Sequence, residues 1–125
     1  MDDFKAYNDN HGHDAGDEVL RCVAKIMRES ARADDLIGRY GGEEFVLLLN
    51  GDAEGALEVA ERILEAVEKE CVPEDTLGRP ITVSLGVVSL SNVTKSLERL
   101  IALADAEMYH SKKTGKNRVS VFHST

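Results

Sequence analysis

The residues best suited to chemistry lie in the run Arg39-Tyr40-Gly41-Gly42-Glu43-Glu44-Phe45, which stands between two apolar stretches. Two glycines let the backbone turn tightly at positive φ, and adjacent carboxylates follow where a strand begins. Because successive strand residues point to opposite faces, only one of Glu43 and Glu44 can face a given ligand. The run has the chemistry of a metal and nucleotide site, and its spacing fits a glycine hairpin with a charged shoulder equally well.

A polar segment from Phe4 to Asp17 holds a second set of candidate side chains. Asn8 and Asp17 could read the edge of a nucleobase, since a carboxylate accepts from two N–H groups while an amide both donates and accepts. Turn formation and helix capping also explain Asn8, Asp9 and Asp14. The segment alone leaves both interpretations open.

A basic cluster near the end of the chain contrasts with the acidic remainder, and its members are Lys112, Lys113, Lys116 and Arg118. Lysines in such a cluster can hold a triphosphate, because each ammonium acts as a point charge on phosphate oxygens. The alternative is that Lys112 and Lys113 complement the negative end of a helix dipole.

Arg32 and Asp35 are a further charged pair, at the exit of the first long helix that the periodicity predicts. At this spacing they could form a surface ion pair that adds little stability. Alternatively, a guanidinium and a carboxylate held side by side can clamp a guanine edge and a phosphate.

Length, charge and cysteine content restrict the classes of protein. At 125 residues and a net charge of −8, the chain is expected to be one acidic domain rather than a nucleic-acid binder with a broad basic face. No apolar run approaches the roughly 20 residues that span a bilayer, and no signal peptide is evident. Cys22 and Cys71 form no CxxC pair, so we expect two unpaired, small apolar residues in a cytoplasmic protein.

Periodicity predicts three amphipathic helices and several strands. The first helix is expected over Gly16–Arg28, with an apolar stripe of Val19, Leu20, Val23, Ile26 and Met27. The second is expected to begin after an N-cap at Asp52. The third is expected over Ser96–Lys113, with the inward residues Leu97, Leu100, Ile101, Ala104 and Met108. The strands are expected at Leu36–Ile37 and Phe45–Leu49, as arms of one hairpin, and at Ile81–Val88 and Val119–Phe122. Helices interleaved with strands that include a hairpin predict an α+β fold with helices packed on a mixed sheet. The small face of Thr82, Ser84 and Gly86 would allow a helix or ligand to approach closely.

Taken together and in order, these motifs resemble the GGDEF domain of diguanylate cyclases from Asp2 to about Phe122. The matching stretches are Phe4-Lys5-Ala6-Tyr7-Asn8-Asp9, Gly12-His13, Gly16-Asp17, the run around Gly41, Thr82 to Val87, Ala104-Asp105, Met108-Tyr109 and Gly115-Lys116-Asn117-Arg118. The resemblance implies a largely antiparallel central sheet of the nucleotide-cyclase, ferredoxin-like kind.

The resemblance also implies a reaction in which two GTP condense to cyclic di-GMP with loss of two pyrophosphates, in a homodimer whose subunits each hold one GTP. Glu43 would bind Mg²⁺ or Mn²⁺ and help to deprotonate the attacking hydroxyl, with Gly41, Gly42 and Glu44 beside it in the catalytic turn. The implied substrate-binding residues are Asn8 and Asp17 for guanine, Phe4 at the start of the site, and Lys5, Lys112 and Lys116 for phosphate. Arg32 and Asp35 match an RxxD site at which the product cyclic di-GMP inhibits.

The family pattern implies more chain before Met1. A further metal-binding Asp belongs to a first strand just upstream, and Asp2 matches the second Asp of that pattern. We therefore expect residues 1–125 to be one catalytic domain with a truncated first strand, preceded in a bacterial parent protein by a sensor or receiver domain. A non-catalytic receptor for GTP or cyclic di-GMP and a plain adaptor domain are the alternatives.

Overall fold

The computed structural model describes residues 1–32, 35–39, 44–49, 52–71, 81–88 and 96–122. In chain order the described elements are α1 (Phe4–His11), α2 (His13–Ser30), β1 (Leu36–Arg39), β2 (Phe45–Leu48), α3 (Ala53–Glu70), β3 (Ser84–Val87), α4 (Leu97–Lys113) and β4 (Arg118–Val121). Helices and strands are interleaved along the chain, which confirms the predicted α+β class.

The strands pair in two ways. β1 and β2 are antiparallel, with Leu36 opposite Leu48 and Arg39 opposite Phe45, as the hairpin prediction required. β3 and β4 are parallel, with Ser84 opposite Arg118, and α4 provides the connection between them. The mixed pairing is confirmed, and within the described residues it forms two separate two-stranded ladders.

The polar segment at the start of the chain is helical, which excludes the interpretation of Asn8 and Asp9 as turn residues. α1 begins after Asp3 and ends at Gly12, whose φ of 89° suits glycine and whose N–H donates to the Asn8 carbonyl at 2.7 Å. α2 then starts at His13, before the predicted Gly16. The periodicity missed α1 because the helix has eight residues and a single buried one, Phe4.

The two longest helices follow the predicted patterns. All five predicted stripe residues of α2 are buried. α3 begins at the predicted cap, because the Asp52 carboxylate accepts a hydrogen bond from the Gly55 amide at 2.8 Å.

α4 packs directly on β3 through a glycine. A Cβ added to Gly86 would lie 2.1 Å from the Ala104 carbonyl oxygen, so the helix backbone occupies that space. The small face of this strand therefore admits a helix, as predicted. The inward placement of Leu97 is wrong, because its side chain is 51% exposed at the first residue of α4, beyond the packed part of the helix.

The hydrophobic core joins the start of the chain to α2, α3 and the approach to β3. Met1 and Phe4 are buried with Val23, Ile63 and Val83 in one cluster. The first residues are also tied to the sheet region, since the Asp2 amide donates to the Thr82 carbonyl at 3.0 Å. Residues 81–83 bond to the chain start and to the end of α3, which explains why β3 is shorter than predicted.

A disulfide between Cys22 and Cys71 corrects the prediction that both cysteines are unpaired. Packing of α2 on α3 brings their Cα atoms to 6.0 Å, although 49 positions separate them in sequence. This Cα separation is typical of disulfides. Cysteine spacing carries no information about that tertiary contact, so the sequence could not reveal the pair.

None of the helices in the described part of the chain is long and apolar enough to cross a membrane.

Candidate functional site

The centre of the candidate site is the buried carboxylate of Asp2, whose residue is only 5% exposed. Its Oδ1 accepts a hydrogen bond from Ser84 Oγ at 2.6 Å, and its Oδ2 accepts one from Thr82 Oγ1 at 2.7 Å. The Asn117 backbone N–H also donates to Oδ2, at 3.0 Å. One carboxylate thus joins the chain start, the β3 strand and the turn before β4.

The charge state of Asp2 follows from these contacts. Burial alone would raise the pKa of the Asp2 carboxyl, because a low dielectric disfavours the charged form. The hydrogen bonds from Ser84, Thr82 and Asn117, together with the Lys112 charge, outweigh burial and lower the pKa below its ordinary value. The carboxylate is therefore a fixed negative charge at neutral pH.

Two predicted phosphate-binding lysines contact the acidic residues at the chain start. Lys112 Nζ donates to the Met1 carbonyl at 3.0 Å and lies 3.4 Å from Asp2 Oδ1, with 29% of its side chain exposed. Lys116 Nζ donates to Asp3 Oδ1 at 2.6 Å. This hydrogen bond and the charge of Asp3 raise the pKa of the Lys116 ammonium. The fold thus brings cations from the end of the chain to its first three residues.

A left-handed turn carries Lys116. Gly115, Lys116 and Asn117 have φ values of 133°, 61° and 46° between α4 and β4. The Lys116 amide donates to the Ser111 carbonyl at 2.9 Å, and the Asn117 side-chain amide donates to the Glu68 carboxylate. Contacts on both sides therefore hold the turn and the position from which Lys116 extends.

Asn8 has an unsatisfied acceptor. Its Oδ1 is buried and accepts no hydrogen bond from the described residues. The side chain rests against α2 at Gly16, where an added Cβ would lie 1.7 Å from Oδ1. Asp17, the other predicted base-reading residue, follows Gly16 directly and is exposed. A buried acceptor without a partner is costly in a folded protein, so the Asn8 amide would gain a hydrogen bond by turning away from Gly16 towards a ligand N–H.

The remaining predicted substrate-binding residues differ in exposure. Phe4 is 7% exposed and belongs to the hydrophobic core, so its contribution is to pack the start of α1. Lys5, the next residue along that helix, is exposed. Only Lys5 of this pair is free to reach a ligand from solvent.

The signature turn is described only at its edges. Gly41, Gly42 and Glu43 lie outside the described residues, whereas Glu44 is half-buried immediately before β2. The pairing of Arg39 with Phe45 closes the hairpin on either side of the turn. The hairpin is thus confirmed up to its tip.

Arg32 and Asp35 form a tight turn after α2. The Arg32 backbone N–H donates to Asp35 Oδ2 at 2.8 Å, and the Asp35 amide donates to the Arg32 carbonyl at 3.0 Å. Asp35 therefore binds the backbone of Arg32, while the Arg32 side chain is exposed. This contact was not among the interpretations drawn from their spacing.

The described residues assemble no group of three or more His, Cys, Asp or Glu side chains that could hold a metal ion. Asp2 is already engaged by its hydrogen-bond donors and Asp3 by Lys116. These carboxylates therefore do not fit a metal site by themselves.

Sequence reasoning did not identify Asp2 and Asp3 as site residues. Asp2 was noted only for its match to the family pattern, because its hydroxyl partners Thr82 and Ser84 lie 80 and 82 positions away. Asp3 had no local signal, because its partner Lys116 is 113 positions away.

Comparison with known proteins places this geometry in a family. The chain is 43% identical over 122 residues to diguanylate cyclase A of Treponema denticola, an alignment that covers 97% of this chain and 33% of that protein. The chain therefore spans about a third of that relative's length.

Solved structures show the same fold. The active GGEEF domain of a diguanylate cyclase from Vibrio cholerae matches with a TM-score of 0.86 and 32% identity, over 99% of this chain and 79% of that one. The GGDEF domain of DgcB from Caulobacter crescentus, solved in complex with c-di-GMP, matches with a TM-score of 0.83 and 32% identity, over 96% and 72% of the two chains.

The family model described as "Diguanylate cyclase, GGDEF domain" matches residues 1–118, which include the polar segment, the signature turn and the basic cluster. The chain therefore belongs to the GGDEF domain family of diguanylate cyclases.

Proposed function

We propose that this domain condenses two GTP molecules to cyclic di-GMP and two pyrophosphates. The observation that carries the proposal is the convergence of Lys112 and Lys116 on the first residues of the chain, next to the helix that bears Asn8. This arrangement puts phosphate-binding charge and a base-reading amide on neighbouring elements. The family membership supports the same reaction.

Asn8 and Asp17 are the proposed guanine-reading residues. Guanine presents N–H donors on its Watson–Crick edge, and both a carboxylate and an amide oxygen accept such donors. The unsatisfied Asn8 Oδ1 supports this role, because the amide would gain a hydrogen-bond partner by rotating from Gly16 towards a guanine N–H. Adenine presents a different pattern of donors, so the pair would select GTP over ATP.

Lys112, Lys116 and Lys5 are the proposed triphosphate-binding residues. Ammonium groups would compensate the negative charge of the phosphates and hold the α-phosphate in position for attack. In the reaction, the 3′-hydroxyl of one GTP loses its proton with the help of Glu43, and its oxygen forms a bond to the α-phosphorus of the other GTP. The bond from that phosphorus to pyrophosphate breaks, and pyrophosphate leaves. Two such steps close the ring, so we propose a homodimer in which each subunit holds one GTP.

The proposed metal ligand is Glu43, with Mg²⁺ or Mn²⁺ as the ion. A carboxylate suits a hard cation, and the ion would supply positive charge at the phosphates. Glycines at positions 41 and 42 would let the backbone approach the phosphates, and Glu44 would face away from Glu43.

Purified protein incubated with GTP and Mg²⁺ tests the proposal, with cyclic di-GMP and pyrophosphate followed together by chromatography. We expect one cyclic di-GMP for every two pyrophosphates, and no product from ATP or from the Glu43→Gln variant. Absence of cyclic di-GMP, both with this chain and with the chain extended upstream in its parent protein, would refute the proposal.

A receptor that binds GTP or cyclic di-GMP without turnover is the second candidate. The exposed Arg32 side chain and the unsatisfied Asn8 Oδ1 are suited to binding a nucleotide and require no chemical step. The receptor function would be favoured over the cyclase if this chain and its upstream extension bind either nucleotide tightly but form no product.

We further propose that cyclic di-GMP inhibits the domain at Arg32 and Asp35. The turn leaves the Arg32 side chain exposed, and an arginine can bind a phosphate through two hydrogen bonds. Arg32→Ala should weaken cyclic di-GMP binding at least tenfold while GTP binding stays unchanged. Equal affinities of the wild type and Arg32→Ala for cyclic di-GMP would contradict an inhibitory role for Arg32.

We also propose a cellular location and a source of regulation for the domain. Because its substrate would be GTP, we place it in the bacterial cytoplasm, under the control of an upstream sensor or receiver domain of the parent protein.

A further inference from the structure

The exposed ion pair between Asp3 and Lys116 connects the two ends of the chain. Lys116 Nζ lies 2.6 Å from Asp3 Oδ1, and the two side chains are 45% and 66% exposed. A Lys116 ammonium that is proposed to bind phosphate is thus already bound to another oxyanion, the carboxylate of Asp3.

The backbone around this pair is unusual at both residues. Asp3 and Lys116 both adopt left-handed conformations, with φ values of 56° and 61°. Such values are uncommon for residues other than glycine. Asp3 is also the N-cap residue of α1, yet its side chain makes no capping hydrogen bond, although aspartate is among the preferred caps. The carboxylate is directed to Lys116 instead of the helix end.

Lys112 is held differently. Its partner Asp2 is buried and bound by further donors, and Lys112 also donates to the Met1 carbonyl. The pair of Lys116 with Asp3 is in solvent, where such pairs are weak and exchange easily. Of these two lysines, therefore, only Lys116 can readily replace its carboxylate partner with another anion.

We propose that Asp3 competes with phosphate for Lys116 and thereby sets the affinity of the site for the triphosphate. The inference rests on the proposed function, in which Lys116 binds phosphate. A bound triphosphate displaces the Asp3 carboxylate, because one ammonium cannot hold both anions in the same position. The aspartate thus lowers the affinity for substrate and for released pyrophosphate alike.

Inorganic tripolyphosphate, titrated by calorimetry at low ionic strength without divalent metal, tests the inference. The variant is Asp3→Asn, since asparagine tolerates the left-handed conformation and removes only the charge. An exposed ion pair is weak, so we expect the dissociation constant to fall about two- to fivefold. Asp9→Asn, which removes the same charge from an exposed position on α1, should leave the constant unchanged. An unchanged or raised constant for Asp3→Asn would overturn the inference.

A second pair of variants separates competition from general repulsion. In a Lys116→Met background, Asp3→Asn should have no effect on tripolyphosphate binding, because the ammonium for which Asp3 and phosphate compete is absent. If Asp3→Asn still changes the tripolyphosphate dissociation constant twofold or more in the Lys116→Met background, the change comes from long-range repulsion and competition is refuted. Thermal unfolding of each variant verifies that it is folded.

The two proposals fail separately. Tripolyphosphate has neither guanine nor ribose, so a lower constant for Asp3→Asn without any cyclic di-GMP production would support competition and refute the cyclase. If cyclic di-GMP is produced but the wild type and Asp3→Asn have equal dissociation constants for tripolyphosphate, only the competition proposal is refuted. No binding of tripolyphosphate by any variant would also overturn it.

Discussion

Asp2 Oδ1 accepts a hydrogen bond from Ser84 Oγ at 2.6 Å, although the two residues are 82 positions apart. Thr82 and the Asn117 amide donate to the same carboxylate from other segments. This one buried group therefore holds together the chain start, the sheet and the turn that carries Lys116.

Replacing Asp2 with alanine should destabilise the domain by about 3 kcal/mol, because its removal leaves several buried or half-buried donors unsatisfied. Urea unfolding followed by circular dichroism would measure the change in the free energy of unfolding. Asp9→Ala, on the exposed side of α1, is the matched control and should cost less than about 0.5 kcal/mol. A change for Asp2→Ala as small as that of the control would contradict the assigned role.

The stability of the domain should depend on pH through Asp2. The pKa of its carboxyl is lower in the folded protein than in the unfolded chain, so the unfolded state binds the proton more readily. The stabilisation is therefore complete above the unfolded value of about 4 and is lost as pH falls through the folded pKa. Unfolding free energies of the wild type and Asp2→Asn, measured from pH 7 downwards, should differ most at neutral pH and converge in acid. A constant difference across that range would exclude this linkage.

Gly16→Ala should impair guanine recognition without unfolding the domain. The new Cβ would fall 1.7 Å from Asn8 Oδ1, so the Asn8 amide must leave its position. Alanine itself suits a helix better than glycine, which limits the loss of stability. We expect GTP affinity to fall about tenfold, which corresponds to roughly one lost hydrogen bond to a ligand.

Fluorescence titration with labelled GTP and ATP provides the measurement for Gly16→Ala. Gly38→Ala is the matched control, since an added Cβ there meets no atom of the described residues within 4 Å. Unchanged selectivity for GTP over ATP in Gly16→Ala would argue against Asn8 as the guanine reader.

Reduction of the disulfide between Cys22 and Cys71 should lower the thermal stability. A link across 49 positions restricts the unfolded chain and contributes about 4 kcal/mol in the chain-entropy model. Differential scanning calorimetry with and without a reductant should show a lower midpoint, by roughly 15 °C, in the reduced protein. The Cys22→Ser/Cys71→Ser double variant should not respond to the reductant. Two free thiols in the air-oxidised protein would show that the link does not form.

The predictions from sequence succeeded where the determinants are local. The buried stripe of α2 follows from a repeat of apolar residues, and the α3 cap involves residues only three positions apart. The hairpin of β1 and β2 follows from two apolar arms around a glycine turn. α1 was missed because its polar residues resemble turn formers and its stability depends on burial of Phe4 in a distant core.

The sequence by itself determined the family, the α+β class and the types of residue available for nucleotide chemistry, because these are encoded in short motifs and periodic patterns. Only the tertiary structure decided which of those residues meet. The pairing of Lys116 with Asp3, the burial of Asp2 and the link between Cys22 and Cys71 join positions far apart in the chain. Such contacts depend on how helices and strands pack, and no local pattern specifies that packing.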